Sequence, residues 1–323
     1  MERLNEILRS GVLPESTIQM INKLDRDGKQ LLNDYEDINS ELFKYIHPVN
    51  ITERFLADSK IADKLYHYTS YEAFKKIIDS QKFLIGSAYH MNDLSELKYI
   101  YDLLKEESIN LNAPSEFISY IEHMKNNINP DVYIWSFTKN ASSQALQAYG
   151  DVAIEFNNQD IQEELATYCA NGAKTLDEYT DGSAYVFPLT VVYEEKIHKE
   201  YISIIAKAWI TAFKNYDIDP TDMEQISKDI LQAFIFFSMI FKNPILYQEE
   251  EIRFIVFNIN KDDSINPDDY MGDKPVKTFR FSLDIIQKII LSHKLKDEIE
   301  STENYLRERN YSKTQVELTK MLY

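Results

Sequence analysis

Apolar and polar residues alternate along several short segments of the chain, and these segments predict β-strands. Side chains on a strand point to opposite faces in turn, so a half-buried strand shows an apolar residue at every second position. The predicted strands are Lys64–Thr69, Lys82–Ser87, Val132–Thr138, Val152–Phe156, Val186–Tyr193, Ile252–Ile259 and Lys277–Phe281. They lack the regular strand–helix alternation of a doubly wound parallel sheet, so the pattern favours an α+β fold.

Other segments repeat apolar residues every three or four positions, which predicts helices before and between the strands. In the N-terminal stretch, Ile18, Ile21, Leu24 and Leu31 share one helical face. Further helices are predicted at Ser70–Ser80, from the turn at Asn92 through Leu104, at Ser142–Tyr149, Gln159–Glu178, Lys199–Phe213 and Glu224–Phe241, and after Ile285–Leu291. We therefore expect a helical N-terminal extension over residues 1–60 and a domain over residues 61–323, with helical insertions near 157–185 and 196–242.

The charge balance limits the partners of the chain. Its formal net charge is -18 over 323 residues, which opposes binding to nucleic acid or to an anionic membrane. The single cysteine, Cys169, excludes intrachain disulfides and zinc sites built from several cysteines. No signal peptide opens the chain, and the longest apolar run, near Ile230–Phe241, is shorter than the roughly 20 residues that span a bilayer. We expect a cytoplasmic protein that does not bind a membrane.

Several widespread site motifs are missing from the sequence. The seven glycines form neither G-x-G-x-x-G nor G-x-x-x-x-G-K-[ST], and the six histidines form no H-E-x-x-H. The first two motifs cradle phosphates in Rossmann and P-loop proteins, and the third holds the zinc of one large class of metalloproteases. The sequence therefore argues against these three classes.

The candidate chemistry lies in polar groups on or beside apolar strands, where burial without a partner costs roughly 2–7 kcal/mol per group. The late strand begins with glutamates, and side chains two apart on a strand share a face, so we expect Glu249, Glu251 and Arg253 to lie on one face. Arg253 could then hold either carboxylate in its ionised form. The alternative is an edge strand whose charges face water and discourage aggregation. His67 and Tyr89, taken singly, are typical of packed residues.

Taken together, the polar segments resemble the His-Tyr-Glu constellation of ADP-ribosyltransferases. They resemble more closely an uncharacterised bacterial family, domain of unknown function 2971. The matching segments are His67-Tyr68-Thr69, Asn92-Asp93-Leu94-Ser95-Glu96, Ser136-Phe137-Thr138, Gly150 to Phe156, and Glu249-Glu250-Glu251-Ile252-Arg253. The resemblance spans about residues 64 to 295.

The resemblance implies an α+β fold with an ADP-ribosyltransferase-like core, a mixed or antiparallel split β-sheet that binds NAD between two small sheets. NAD would be the substrate, and no metal is implied. The residues implied to contact NAD are His67, Tyr68, Thr69, Tyr89, Asn92 and Asp93, with Tyr89 stacked on nicotinamide. Glu251 would stabilise the transition state, Glu249 would position or deprotonate the acceptor, and Arg253 would orient the two glutamates. The implied activity is ADP-ribosyl transfer or NAD hydrolysis by a bacterial toxin or antiphage effector, with a protein or small-molecule acceptor rather than DNA.

Two other readings stay open. The first is a non-catalytic effector or binding module on the same fold, because Leu146 and Tyr149 stand where the family often has tryptophan. The second is a metal-dependent hydrolase or nuclease that uses His67, His90, Asp93 and Glu96 with a late glutamate. NAD binding distinguishes the first from an enzyme, and stimulation by divalent metal would favour the second. Residues 1–60 either pack on the core or bind a protein partner.

Overall fold

The computed structural model describes residues 1–58, 60, 62–90, 95–127, 132–169, 184–258 and 267–320. The α-helices within these residues are α1 Glu2–Arg9, α2 Glu15–Lys23, α3 Arg26–Glu36, α4 Glu41–Ile46, α5 Pro48–Phe55, α6 Tyr71–Ser80, α7 Ser95–Asn110, α8 Ser115–Asn126, α9 Asn158–Cys169, α10 Glu195–Asn215, α11 Pro220–Ile240 and α12 Ile299–Glu308. The strands are β1 Lys64–Thr69, β2 Lys82–Ser87, β3 Tyr133–Thr138, β4 Val152–Asn157, β5 Ala184–Thr190, β6 Glu251–Asn258, β7 Asp269–Met271, β8 Lys274–Arg280, β9 Ile286–Leu291 and β10 Gln315–Leu318. This mixture of helices and a mostly antiparallel sheet confirms the predicted α+β class.

Most predicted elements are present, and the differences have local causes. The N-terminal apolar stripe is divided between α2 and α3, because Leu24 is extended and Asp25 caps α3 by accepting a hydrogen bond from the Gly28 N–H at 2.6 Å. The helix predicted at 142–149 is reduced to a 3-10 turn, Leu146–Ala148. The helix predicted at 159–178 is seen as α9, and its second half lies outside the described residues.

The chain divides into two compact units. The first unit, residues 1–54, 95–128 and 192–244, is helical. Its two longest helices, α10 and α11, pack through aromatic side chains such as Trp209 and Phe234, whose ring centroids are 6.1 Å apart. Asp219 caps α11 and Pro220 occupies its first turn, where a missing N–H costs nothing. Both helices, predicted at residues 199–213 and 224–241, are present and bury a broad apolar side in the interior of this unit.

The second unit, residues 55–94, 129–191 and 245–323, contains the sheet. Its main path runs β10-β9-β4-β1-β3-β2-β8-β7, with β6 paired to β3 and β5 paired to β6. All six residues of β3 pair with β6, whereas β1 meets β3 only at Thr138 and β2 meets it only at Tyr133 and Ile134. The sheet therefore divides at β3 into a β1–β4–β9–β10 branch and a β2–β8–β7 branch.

The two faces of the sheet differ in composition. We call the first the apolar face: it carries the main hydrophobic core of the unit, with Leu65, Phe83, Trp135, Phe137 and Phe254, and helices α6, α9 and α12 contribute side chains to the same core. Phe83 of one branch contacts Phe156 of the other, at 5.5 Å between ring centroids. Aromatic side chains thus fill the space between the two branches on this side. The opposite face, which we call the polar face, carries Tyr66, Tyr68, Ser136, Thr138, Glu155, Glu251 and Arg253.

Gly150 is required by a close backbone approach. A Cβ atom at this position would lie 2.1 Å from both the carbonyl carbon and the carbonyl oxygen of Thr69, and 2.4 Å from the Ser70 nitrogen. Any larger residue would therefore push the end of β1 away from the start of β4. This contact explains in physical terms why a glycine stands before the β4 segment.

Candidate functional site

A buried ion pair stands at the start of β6. The Arg253 Nε and Nη2 groups each donate a hydrogen bond to a different Glu251 oxygen, both at 2.9 Å. Arg253 is 1% exposed and Glu251 is 5% exposed. Residues two apart on a strand share a face, which places the two side chains next to each other. The guanidinium fork therefore fixes the carboxylate in one orientation.

The alternative of an edge strand with charges facing water is wrong. Strand β6 lies inside the sheet, paired with β3 on one side and with β5 on the other. Its two neighbours leave no exposed strand edge for charges to protect. The ion pair is consequently a buried feature of the sheet, of the kind that fold stability alone rarely favours.

Glu249 is not on the strand, which corrects the expectation that Glu249, Glu251 and Arg253 share one strand face. Glu249 ends a 3-10 helix, Pro244–Glu249, and Glu250 then adopts the left-handed conformation with φ 46°. A non-glycine residue in this region carries backbone strain of order 1–3 kcal/mol. The turn buries both Glu249 and Glu251 and leaves Glu250 exposed, so two buried carboxyl groups flank the strained residue.

A row of polar side chains crosses four strands on the polar face. The strand register pairs Glu155 with Tyr66, Tyr66 with Thr138, and Thr138 with Glu251. Residues directly opposite each other in antiparallel strands share a face, and neighbouring strands lie about 4.8 Å apart. The Cα atoms of Tyr66 and Glu251 are therefore about 10 Å apart, with Thr138 between them. All four residues are at most 7% exposed.

The far end of the row is a second buried carboxylate. Glu155 is 4% exposed and accepts a hydrogen bond from the Lys64 ammonium at 2.8 Å, with Lys288 at 3.9 Å. Burial raises the pKa of the Tyr66 hydroxyl, and the neighbouring Glu155 charge raises it further. The Tyr66 hydroxyl is therefore a neutral hydrogen-bond donor throughout the physiological pH range.

His67 does not lie beside Glu251. Its ring belongs to the apolar face, 5.9 Å from Phe83 and 5.8 Å from Phe137 between centroids, whereas Glu251 lies on the polar face. The His67 Nδ1–H donates to the Ser136 carbonyl oxygen at 3.0 Å. Burial lowers the pKa of His67, so the ring is neutral at pH 7. Alternation along β1 places Thr69 on the same side as His67.

Tyr68 lies on the polar face together with Glu251. Its hydroxyl accepts a hydrogen bond from the Ser143 N–H at 2.8 Å and donates to the Asn140 carbonyl at 3.3 Å. The ring lines a small cavity of about 10 Å³, room for about one water molecule, that is also bordered by Gln147. Of the aromatic residues predicted to contact NAD, Tyr68 therefore lies on the same face of the sheet as Glu251.

The remaining predicted NAD contacts are separated from Glu251 or lie outside the described residues. Tyr89 is 41% exposed in the 3-10 helix Ala88–His90, which follows β2. Strand β2 ends at Ser87, opposite Tyr133, and Thr138 lies five residues farther along β3, about 17 Å away. The structure therefore does not bring Tyr89 next to Glu251. Asn92 and Asp93 lie outside the described residues.

In the part of the chain that the structure describes, no group of three or more His, Cys, Asp or Glu side chains is placed to hold a metal ion. Of the residues proposed for a metal site, His67 is packed among aromatic rings and Glu96 forms an ion pair with Lys242. Asp93 lies outside the described residues. No helix among the described residues is both long enough and apolar enough to cross a membrane.

Comparison of the chain with protein-family models, curated proteins and solved structures found no match in any of the three. The resemblance to ADP-ribosyltransferases therefore stays a prediction, and the geometry of the sheet is the main support for a functional proposal.

Several buried polar residues were assigned no individual role from the sequence. Thr138, Tyr66 and Glu155 join Glu251 only through strand register, although Glu155 could have been noticed as a lone charge between Ile154 and Phe156. In the helical unit, Lys242 pairs with Glu96 at 3.1 Å, with both side chains largely buried. The signal there was a lysine directly after the apolar end of α11.

Proposed function

We propose that the polar face of the sheet binds NAD and that Glu251 assists cleavage of the bond between nicotinamide and ribose. The observation that carries this proposal is the Glu251 carboxylate, buried and held by two 2.9 Å hydrogen bonds from Arg253 at the start of an interior strand. A carboxylate fixed in this way is suited to stabilising a positive charge that develops on a sugar ring. The sequence resemblance supports the same assignment.

The proposed reaction is a substitution at the first carbon of the nicotinamide ribose. The bond from this carbon to the nicotinamide nitrogen breaks, and its electron pair leaves with nicotinamide, which becomes neutral. The positive charge left on the sugar is shared with the ring oxygen and is stabilised by the negative Glu251 carboxylate. An oxygen or nitrogen of water or of the acceptor then bonds to the same carbon and loses a proton, for which Glu249 is the proposed base.

Other residues of the polar face have supporting roles in this proposal. Ser136 and Tyr68 are only partly buried, so both can contact a ligand that lies against the sheet. Arg253 orients Glu251 and is a positioning residue. His67 and Thr69 are not assigned to the site, because β1 directs them to the opposite face.

A second candidate is a non-catalytic binding module built on the same sheet. It is favoured by the fact that the Glu251 and Arg253 side chains hydrogen-bond to each other while both are buried. A buried pair of this kind can be kept for structural specificity without any chemistry. The two candidates differ in whether the protein binds NAD.

Isothermal titration calorimetry of NAD with the full chain tests the proposal. We expect saturable binding to the unmodified protein and to Glu251→Gln, which keeps the shape of the side chain. Binding should weaken in Tyr68→Ala, whereas Tyr149→Ala, which removes an exposed tyrosine, is the matched control. The absence of heat at millimolar NAD would reject the enzyme proposal and favour the binding module.

A further inference from the structure

Two aspartates meet at the start of α11 in the helical unit. Asp219 is completely buried, and its Oδ1 accepts a hydrogen bond from the Asp222 N–H at 3.2 Å. The Asp219 N–H itself donates to the Asn215 carbonyl oxygen at 3.1 Å. The Asp219 carboxyl group is therefore fixed in place by the cap of the helix.

The second oxygen of Asp219 has no such bond. Among the described residues, Asp219 Oδ2 is buried and lacks a hydrogen-bond partner. A buried carboxylate oxygen without a donor is unfavourable. Asp222 lies one turn into the helix, is half-buried, and is held against Asp219 by its own N–H, which donates to Asp219 Oδ1. A proton on Asp222 would supply the missing donor.

We propose that Asp219 and Asp222 share one proton in the folded protein, and that this carboxyl–carboxylate pair makes the helical unit more stable as the pH falls. With the proton present, Asp222 donates to Asp219 Oδ2 and the pair carries a single negative charge. Without the proton, two negative charges face each other at a buried helix cap. The pair is thus a pH-sensitive device at the start of one of the two longest helices in this unit.

The charged surroundings favour retention of the proton. The pKa of Asp222 is raised to about 6. Burial is the largest cause, and the Asp219 charge, the hydrogen bond with Asp219 and the Glu36 charge raise it as well. Glu36 ends α3, which also contacts α11 through the Tyr35 hydroxyl bonded to Asp229 at 2.6 Å. Asp25, whose carboxylate accepts hydrogen bonds from the Asn215 amide and the Gly28 N–H, and His47 also lie on neighbouring helix segments.

The sign of the effect is set by the raised pKa. Between the ordinary value of 3.8 and about 6, the folded state binds more protons than the unfolded state. Stability from this pair is therefore present at low pH and is lost as the pH rises through about 6. Between pH 7.5 and pH 5.0, the folded-to-unfolded ratio of the helical unit should rise about tenfold from this group alone.

Two measurements on the full chain test the pair. Carbon NMR of aspartate side-chain carboxyls should show Asp222 titrating near pH 6. Urea unfolding at pH 5.0 and 7.5 should show that Asp222→Asn, whose amide always donates, abolishes the tenfold change. Asp217→Asn, which alters an exposed aspartate in the preceding connection, is the control and should keep it.

Two results would overturn the proposal. The first is an Asp222 signal that titrates near pH 4. The second is an Asp222→Asn protein whose stability changes with pH as much as that of the Asp217→Asn control. The NMR titration uses the unmodified protein, so it decides the question even if the Asp222→Asn chain does not fold.

Discussion

Loss of the Arg253 guanidinium is expected to destabilise the sheet unit strongly. Arg253→Met keeps an unbranched side chain but removes the two hydrogen bonds to Glu251, which are both 2.9 Å long. The carboxylate left behind is only 5% exposed, so water cannot replace the lost donors. Breaking one side of a buried ion pair costs roughly 3–5 kcal/mol. An exposed pair would cost about 1 kcal/mol or less.

The double variant Arg253→Met with Glu251→Leu separates the cost of a stranded charge from the cost of lost packing. Replacing both partners of a buried pair by apolar side chains of similar volume is often close to neutral. We therefore expect the double variant to recover most of the stability that the single variant loses. Arg280→Met, at an exposed position on β8, is the matched control and should change stability by about 0.5 kcal/mol or less.

Tryptophan fluorescence during urea unfolding can follow the sheet unit separately. The chain has two tryptophans, Trp135 in the sheet unit and Trp209 in the helical unit, and both are 3% exposed. A Trp209→Phe background leaves Trp135 as the reporter. With a urea m-value of about 2 kcal/mol/M, Arg253→Met should lower the midpoint by roughly 2 M. A loss below about 1 kcal/mol, or a double variant no better than the single one, would refute the inference that the pair is buried and mutually dependent.

Three further predictions concern the frame around the site. Gly150→Ala should destabilise the sheet unit by about 1–3 kcal/mol because its Cβ atom would clash with the backbone of Thr69 and Ser70. Gly86→Ala, which has open space around its Cβ position, is the control and should not destabilise the unit. Equal effects of the two variants in urea unfolding would contradict the prediction. Burial lowers the pKa of His67, so the neutral ring stabilises the folded protein above pH 6.5 and this stabilisation is lost as the pH falls below 6.5. His67→Leu should therefore lose less stability between pH 7 and pH 5 than the exposed control His123→Leu. Parallel stability profiles for the two variants would contradict this prediction. Asn158→Ala should cost about 1–3 kcal/mol in thermal or urea unfolding, because its buried amide donates to two backbone carbonyls; a neutral result would show that these bonds are dispensable.

Local patterns were sufficient to predict many of the elements. The alternation in residues 64–69 and 82–87 marks strands that the structure confirms with the same bounds, and the apolar stripes of residues 199–213 and 224–241 mark helices. These signals are local, because each side-chain period is set by the geometry of its own element. The strand at 286–291 was not predicted, since its apolar residues do not alternate cleanly.

The arrangement of the site depends on strand pairing, which local patterns do not encode. Alternation shows that His67 and Tyr68 point to opposite sides of β1, but only the register Tyr66–Thr138–Glu251 reveals which of them shares a face with Glu251. The left-handed Glu250 was equally hidden, because glutamate carries no sequence preference for that conformation. The predicted roles of Glu249, Glu251 and Arg253 in catalysis stay predictions.

The release of nicotinamide from NAD tests the central claim most directly. The full chain, Glu251→Gln and Glu250→Gln would each be incubated with NAD, with and without a cell lysate as a source of acceptor, and nicotinamide would be measured by chromatography. We predict release by the unmodified protein and by Glu250→Gln, whose altered carboxylate is exposed, and a loss of roughly 100-fold or more in Glu251→Gln. Undiminished release by Glu251→Gln, or no release by any of the three proteins, would contradict the assignment of Glu251 as the catalytic carboxylate.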